Sequence, residues 1–81
     1  DARTELRRTQ SAVELSQQQE HLAREGWRLT RRSFDLGETD VFTLLQAGIE
    51  MLESQHDYLI SKLGYGRAIA RYNQAVGVVP E

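Results

Sequence analysis

One glycine-containing break divides this chain of 81 residues into two long stretches, and the chain's single proline, Pro80, lies at the far end of the second. Residues 2–34 hold a single glycine, Gly26, and are rich in Arg, Gln, Glu, Leu and Ala, which are favourable or tolerable in a helix. The break is the sequence Leu36-Gly37-Glu38, in which the glycine can take the left-handed conformation that follows many helix ends. These features predict a long helix that stops at this break.

The second stretch has its own start and stop signals. Thr39 and Asp40 are candidate N-caps, whose side chains can accept hydrogen bonds from the first free N–H groups of a helix. Gly77 and Pro80 are expected to end this helix, and a connection this short favours antiparallel neighbours. We therefore predict an all-α fold, an antiparallel two-helix coiled-coil hairpin that occupies residues 1–81 as a single domain. Its predicted parts are a helix at about 2–35, a tip turn at about 36–40, a helix at about 41–76 and a short tail at about 77–81.

The composition argues against several classes of function. There are no cysteines, which excludes disulfides and thiolate metal sites, and only His21 and His56 could offer imidazole ligands. A formal net charge of -2 lacks the basic excess that phosphate binding requires, so we expect no nucleic acid partner. No apolar run approaches the ~18–20 residues of a membrane-spanning helix. No nucleophile and base are placed together and no phosphate-binding glycine loop occurs, so we predict no enzyme, cofactor or metal.

Each predicted helix carries two stripes at coiled-coil spacing, whereas a simple surface helix needs only one apolar face. The two stripes lie on opposite sides of the helix, because residues two apart point about 200° apart at ~100° per residue. In the first helix one stripe is Ala12, Leu15, Gln19, Leu22, Gly26, Leu29, Ser33 and Leu36, and the other is Leu6, Thr9, Val13, Ser16, Glu20, Ala23, Trp27, Thr30 and Phe34. In the second helix one stripe is Leu44, Ala47, Met51, Ser54, Tyr58, Ser61, Tyr65, Ala68, Tyr72 and Ala75, and the other is Val41, Leu45, Gly48, Leu52, His56, Leu59, Leu63, Gly66 and Ala70.

A helix with two opposed stripes is satisfied by a helical neighbour on each side, as in a wall of helices that closes into a cylinder. We therefore expect the hairpin to be part of an α-helical barrel in the intact protein, and the isolated chain to self-associate. An antiparallel register with Leu36 beside Val41 places large residues opposite small ones, for example Leu29 opposite Gly48. This register is compatible with contact through either pair of stripes. Which stripe forms the contact within the chain is left open. The alternative is a plain four-helix bundle built from two hairpins.

The region of the break also has a more specific pattern. It consists of an aromatic residue, two further residues, a glycine, a polar stretch with a hydroxyl group, and an apolar run that ends in alanine. These positions are Phe34, Gly37, Thr39 and Ala47 at the break, followed by Tyr65, Tyr72, Ala75 and Gly77 along the second helix. The pattern resembles the tip and returning helix of the TolC-like outer-membrane efflux proteins, and the resemblance covers nearly the whole chain.

This resemblance implies a trimeric channel-tunnel that crosses the outer membrane and the periplasm. The segment would be the lower part of one periplasmic hairpin, in a homotrimer located in the cell outer membrane. The implied partners are a periplasmic adapter (membrane fusion) protein and an inner-membrane pump, and the docking groove of the family carries over onto Leu36, Gly37 and Glu38. A generic coiled-coil interaction or scaffold module remains the alternative, because two-striped helices also occur in bundles and rods.

The aperture of the family, where side chains close the tunnel at rest, carries over less fully. Where well-studied members have an aromatic residue, a basic residue and two acids, this chain has Phe34, Thr39, Thr43 and Gln46. The resemblance therefore implies that hydrophobic or amide contacts replace a charged lock.

Overall fold

A computed structural model, which describes residues 1–77, shows two long helices that pack against each other as a hairpin. Helix α1 runs over Ala2–Asp35 and helix α2 over Val41–Ala75, and no strand occurs within the described residues. The hairpin is a rod with extents of 60 × 21 × 15 Å. The prediction of an all-α antiparallel hairpin is confirmed, with both ends of α1 at the predicted residues.

Aspartate side chains cap the N-termini of both helices. An Asp1 carboxylate oxygen accepts a hydrogen bond from the N–H of Thr4 at 2.9 Å, and Asp40 accepts one from the N–H of Thr43 at 2.8 Å. Each carboxylate satisfies an otherwise free donor and lies at the positive end of its helix dipole. Of the two candidate caps proposed for α2, Asp40 is the one that makes the bond.

The C-terminus of α2 uses a glycine as predicted. The helix ends at Ala75, one residue before the predicted bound, and Gly77 has a φ of 75°. The N–H of Gly77 donates to the carbonyl of Gln74 at 3.1 Å, which satisfies one of the last free carbonyls. The rest of the predicted tail, with Pro80, lies outside the described residues.

The contact between the helices, which we call the inner seam, uses one stripe from each helix. Helix α1 contributes its less leucine-rich stripe and α2 contributes the stripe that carries the tyrosines. The residues of this seam that are buried or half-buried are Leu6, Thr9, Val13, Ser16, Glu20, Ala23, Trp27 and Thr30 on α1, and Leu44, Ala47, Met51, Ser54, Tyr58, Ser61, Tyr65, Ala68 and Tyr72 on α2. The structure thus settles which stripe forms the contact within the chain.

Two long-range relationships fix the register of the seam. Trp27 lines a groove together with Gly48 and Met51, in agreement with the predicted register that places Leu36 beside Val41. At the other end of the rod, a nitrogen of Arg71 lies 2.8 Å from a carboxylate oxygen of Glu5. The two helices therefore pair in one antiparallel register along the whole hairpin.

The interior of the seam is small and partly polar. Among the described residues, Ala68 is the one fully buried apolar side chain, while Thr9, Ser16 and Glu20 are the buried polar ones. Thr9 donates to the carbonyl of Glu5 at 2.8 Å, Ser16 donates to the carbonyl of Val13 at 3.1 Å, and Glu20 accepts from Arg24. These polar groups are satisfied within α1 itself, so they add little to the attraction between the helices.

Neither helix has, within residues 1–77, an apolar stretch of the length and hydropathy that crossing a bilayer requires.

Candidate functional site

The tip of the hairpin is a Schellman turn centred on Gly37. Its N–H donates to the carbonyl of Phe34 at 3.0 Å, and the N–H of Glu38 donates to the carbonyl of Ser33 at 2.8 Å. These are the two bonds that define this type of helix end, and they require a left-handed residue at the central position. Gly37 has a φ of 76°, a conformation that costs a glycine little and other residues more.

The predicted docking residues are consecutive and open to solvent. Leu36 is 64% exposed, although it is a large apolar side chain, and Gly37 and Glu38 are exposed beside it. A Cβ placed on Gly37 would have no heavy atom within 4 Å, so another molecule can approach the backbone closely there. The end of the rod therefore offers one apolar side chain, one acid and an uncovered stretch of backbone.

The four residues suggested for an aperture are distributed over both sides of the turn. Phe34 ends the inner seam and is 36% exposed, and Thr39 is half-buried within the turn. Thr43 and Gln46 are exposed on the first turns of α2, and the backbone N–H of Thr43 is used by the Asp40 cap. Within a single hairpin these side chains form no closed cluster.

Both helices leave a leucine-rich stripe on the outside. On α1 the outer stripe has Leu15, Leu22, Leu29 and Leu36 at a spacing of one heptad, and these side chains are between 54% and 69% exposed. On α2 the leucines of the outer stripe are Leu45, Leu52, Leu59 and Leu63, between 51% and 61% exposed. The inner stripe of each helix, in contrast, holds one leucine, Leu6 on α1 and Leu44 on α2.

This arrangement is the reverse of what a solitary hairpin would favour. Covering a leucine side chain is worth about 1.5–3 kcal/mol, so a hairpin that had no neighbours would gain most by turning its leucines inward. Here most of the leucines face outward, and the seam contains Trp27 and Met51 beside tyrosines, alanines and small hydroxyl residues. The outer stripes are therefore surfaces suited to contact with further helices.

Sequence reasoning missed two residues of the outer surface of α2. Phe42 is 77% exposed and Ile49 is 56% exposed, and together with Leu45 they line one groove. The predicted stripes include neither Phe42 nor Ile49, because the outer stripe of α2 is drawn through the adjacent residues Val41 and Gly48. The signal was present in the sequence, because Phe42, Leu45, Ile49 and Leu52 are separated by three, four and three residues.

Charge is distributed unevenly around the tip. Between residues 33 and 61 there are six acids and no lysine or arginine: Asp35, Glu38, Asp40, Glu50, Glu53 and Asp57. The hydrogen bond from the backbone N–H of Thr43 holds the pKa of Asp40 below its usual value, so this cap is ionised at neutral pH. The tip and the first half of α2 therefore present a negative field to any partner.

Other titratable groups show no arrangement for chemistry. Within the part of the chain that the structure describes, no three His, Asp or Glu side chains converge in a way that could hold a metal ion. His21 and His56 are both exposed, and a ring nitrogen of His56 lies 3.9 Å from an Asp57 oxygen. The surfaces with the clearest features are thus the tip and the outer faces of the helices.

Comparison of the chain with protein-family models, with curated proteins and with solved structures gives no match.

Proposed function

We propose that this hairpin is a periplasmic segment of the α-helical tunnel wall of a trimeric outer-membrane efflux channel. The carrying observation is that the leucine-rich stripes of both helices face outward while a seam with fewer leucines joins them. A wall of helices requires each helix to contact a neighbour on both sides, and it would cover these stripes. The resemblance of the tip and the returning helix to the TolC-like efflux proteins supports this proposal.

The tip has the properties of the proposed contact with a periplasmic adapter protein. Leu36 stands exposed beside Gly37 at the end of a 60 Å rod, and Glu38 adds a negative charge. In this proposal the adapter places a side chain against Leu36 and its backbone against Gly37, and connects the channel to an inner-membrane pump. Closure of the tunnel then depends on contacts of Phe34, Thr39, Thr43 and Gln46 between neighbouring hairpins, since no charged pair is available among these residues.

A generic coiled-coil interaction or scaffold module is the second proposal. The same exposed leucine stripes favour it, because rods and bundles also use helices with two contact faces. This second proposal assigns no binding role to the tip. Substitutions at Leu36 and Gly37 therefore separate the two proposals, whereas substitutions in the stripes do not.

The experiment is an export assay in cells that produce the intact protein. Leu36→Asp and Gly37→Arg are expected to abolish export and to sensitise the cells to toxic compounds or ions, while trimers still reach the outer membrane. Gln17→Asp, at an exposed position of α1 far from the tip, is the control and should leave resistance unchanged. Normal resistance of both tip variants at normal channel abundance would overturn the docking role.

A further inference from the structure

The first three turns of α2 form an apolar ridge on the outside of the rod. We define the α2 ridge as Phe42, Leu45, Ile49 and Leu52, which are between 56% and 77% exposed. Their spacing of three and four residues places them in one line along the helix. A ridge of this kind packs into the groove of another helix.

One side of the α2 ridge is acidic. Gln46, Glu50 and Glu53 line, together with ridge residues, a groove of about 490 Å³. The acidic edge continues past Leu52 to Asp57, where a second groove includes Glu53 and Asp57. Positions 46, 50, 53 and 57 repeat with steps of four and three residues, so these polar side chains run parallel to the ridge.

The other side of the α2 ridge is entirely apolar. A groove of about 320 Å³ lies between Leu45, Ile49 and Leu52 on one edge and the Trp27 ring of α1 on the other. Gly48 lies in this groove, and a Cβ there would have no heavy atom within 4 Å. The missing side chain leaves room beside Trp27 for a large apolar side chain of a docking helix.

Among the described residues, the acids beside the ridge have no lysine or arginine partner. Within residues 1–77, Glu50 and Glu53 form no ion pair, and Asp57 approaches only His56. The sequence has no lysine or arginine between Arg32 and Lys62. A partner with positive charges at this edge would gain favourable interactions and would suppress the mutual repulsion of the acids.

A second copy of the hairpin does not supply such a partner. Two α2 ridges facing each other would bring like charges together, which disfavours that contact. On α1, the edge beside the outer stripe is of mixed charge, because Glu14 and Glu25 occur along it together with Arg7, Arg28 and Arg32. Charge complementarity therefore favours a helix of a different sequence.

We propose that the α2 ridge docks an amphipathic helix of a partner protein, with an apolar stripe, lysine or arginine along one edge and a large apolar residue on the other. The basic edge lies over Glu50, Glu53 and Asp57, and the large apolar residue enters the space at Gly48 beside Trp27. This inference does not depend on the docking role of the tip. It assigns a chemistry to the helix that covers this side of α2, including Leu45 and Leu52 of the outer stripe, which the tunnel-wall proposal leaves to a neighbour of unstated sequence.

The test is a binding measurement on the 81-residue chain with designed peptides. The probe is a fluorescent helical peptide of about 20 residues with leucine at the core heptad positions and lysine along one edge. The matched peptide has glutamate at each lysine position. Fluorescence anisotropy is expected to show saturable binding of the lysine peptide, at least about tenfold tighter than that of the glutamate peptide and weaker at high salt. Equal binding of the two peptides, or no binding of either, would overturn the proposal.

Two variants of the chain locate the peptide. Combined Glu50→Gln, Glu53→Gln and Asp57→Asn should weaken binding of the lysine peptide about tenfold, and Gly48→Leu should weaken it by filling the apolar groove. The charge-matched control is Glu14→Gln, Glu25→Gln and Asp35→Asn, which removes the same number of acids from α1 and should bind as the unchanged chain does. Circular dichroism verifies that each variant is helical. Equal loss of affinity in the control would mean that net charge, and not the ridge, attracts the peptide, and would also overturn the proposal.

Discussion

Arg71 donates a hydrogen bond of 2.8 Å to Glu5, and this bond joins the last turns of α2 to the first turn of α1. Within residues 1–77 it is the one side-chain hydrogen bond that connects the two helices. Both partners are partly exposed, so water and salt screen the attraction. Its position matters more than its strength, because it lies at the open end, where helix termini fray.

We expect Arg71→Ala to loosen the open end with little effect on the whole hairpin. The global cost should be about 0.2–1 kcal/mol, as for an exposed ion pair. Hydrogen exchange of the backbone amides in the first turns of α1 should become faster, while amides near the tip keep their rates. Arg67→Ala is the control, since Arg67 is exposed on the same helix and forms no ion pair within the described residues. Identical exchange in the two variants would show that the bond to Glu5 is not formed in solution.

Gly37→Val should destabilise the hairpin by about 1 kcal/mol or more, because a β-branched residue resists a positive φ. There is open space around the Cβ position, so the cost comes from the backbone and not from a clash. Gly64→Ala is the opposite control: this glycine lies inside α2 with open space, and alanine there should stabilise by about 0.5–1 kcal/mol. Urea unfolding followed by circular dichroism at one fixed chain concentration measures both. An unchanged unfolding curve for Gly37→Val would contradict the observed turn.

The buried carboxylate of Glu20 should respond differently to loss of its partner and to its own removal. Arg24→Ala leaves the carboxylate in the seam without its hydrogen bond, and we expect a loss of about 1–3 kcal/mol. Glu20→Leu replaces the charge by an apolar side chain in the same stripe and should be neutral or stabilising. Denaturant unfolding of the two single variants and the double variant gives the coupling. A larger loss for Glu20→Leu than for Arg24→Ala would show that the ion pair itself stabilises the seam.

Acid should weaken the start of α2 through Asp40. Its pKa is lowered in the folded chain by the N–H of Thr43, so the cap contributes stability above the ordinary pKa of aspartate and loses it as the pH falls through the lowered pKa. Asp40→Asn keeps a cap that does not titrate, and its melting temperature should fall less on acidification. The pKa of Glu25 is also lowered, by its hydrogen bond from Arg28, so some acid sensitivity remains in this variant. Parallel melting curves at neutral and acid pH compare the two chains, and an equal fall would refute the role of the cap.

The isolated chain should self-associate through the outer stripe of α1. Each leucine that becomes covered adds about 1.5–3 kcal/mol, and Leu22 and Leu29 lie at the middle of the stripe. Sedimentation velocity over a range of concentrations should show dimers or larger species, and Leu22→Gln with Leu29→Gln should shift the distribution to monomers. Gln10→Ser and Gln17→Ser, at exposed positions of the same helix away from the stripe, form the control and should not shift the distribution. A folded chain that stays strictly monomeric at high concentration would contradict the prediction.

The elements that the sequence predicted well are those that depend on local interactions. The bounds of α1, the left-handed Gly37 and the cap at Asp40 each follow from residues within one or two turns of each other. The choice of the inner seam does not, because both pairs of stripes have the same heptad spacing and fit the same register. Counting leucines would have placed Leu15, Leu22 and Leu29 inside, whereas the structure leaves them exposed and buries Thr9 and Ser16 in the seam.

The candidate surfaces show the same difference between features set by local sequence, which could be predicted, and features set by contact between the helices, which could not. The exposure of Leu36 and Gly37 could be predicted, since a turn between two long helices must lie at the end of a rod. The groove beside Trp27 could not, because it forms between α1 and α2 and depends on how closely Gly48 approaches the ring. The acidic edge of α2 was visible as a run of acids, but its position alongside Ile49 required the outward orientation of that helix face.

The elongated shape also has a mechanical consequence. Both ends of the described chain lie together, since Asp1, Ala2 and Tyr72 line one groove, and the tip lies at the opposite end of a 60 Å rod. The hairpin can therefore act as a lever, in which a rotation of ~5° about the open end displaces Gly37 by ~5 Å, the scale of one helical turn. A slight tilt at the open end is therefore enough to bring the tip into or out of contact with a binding partner.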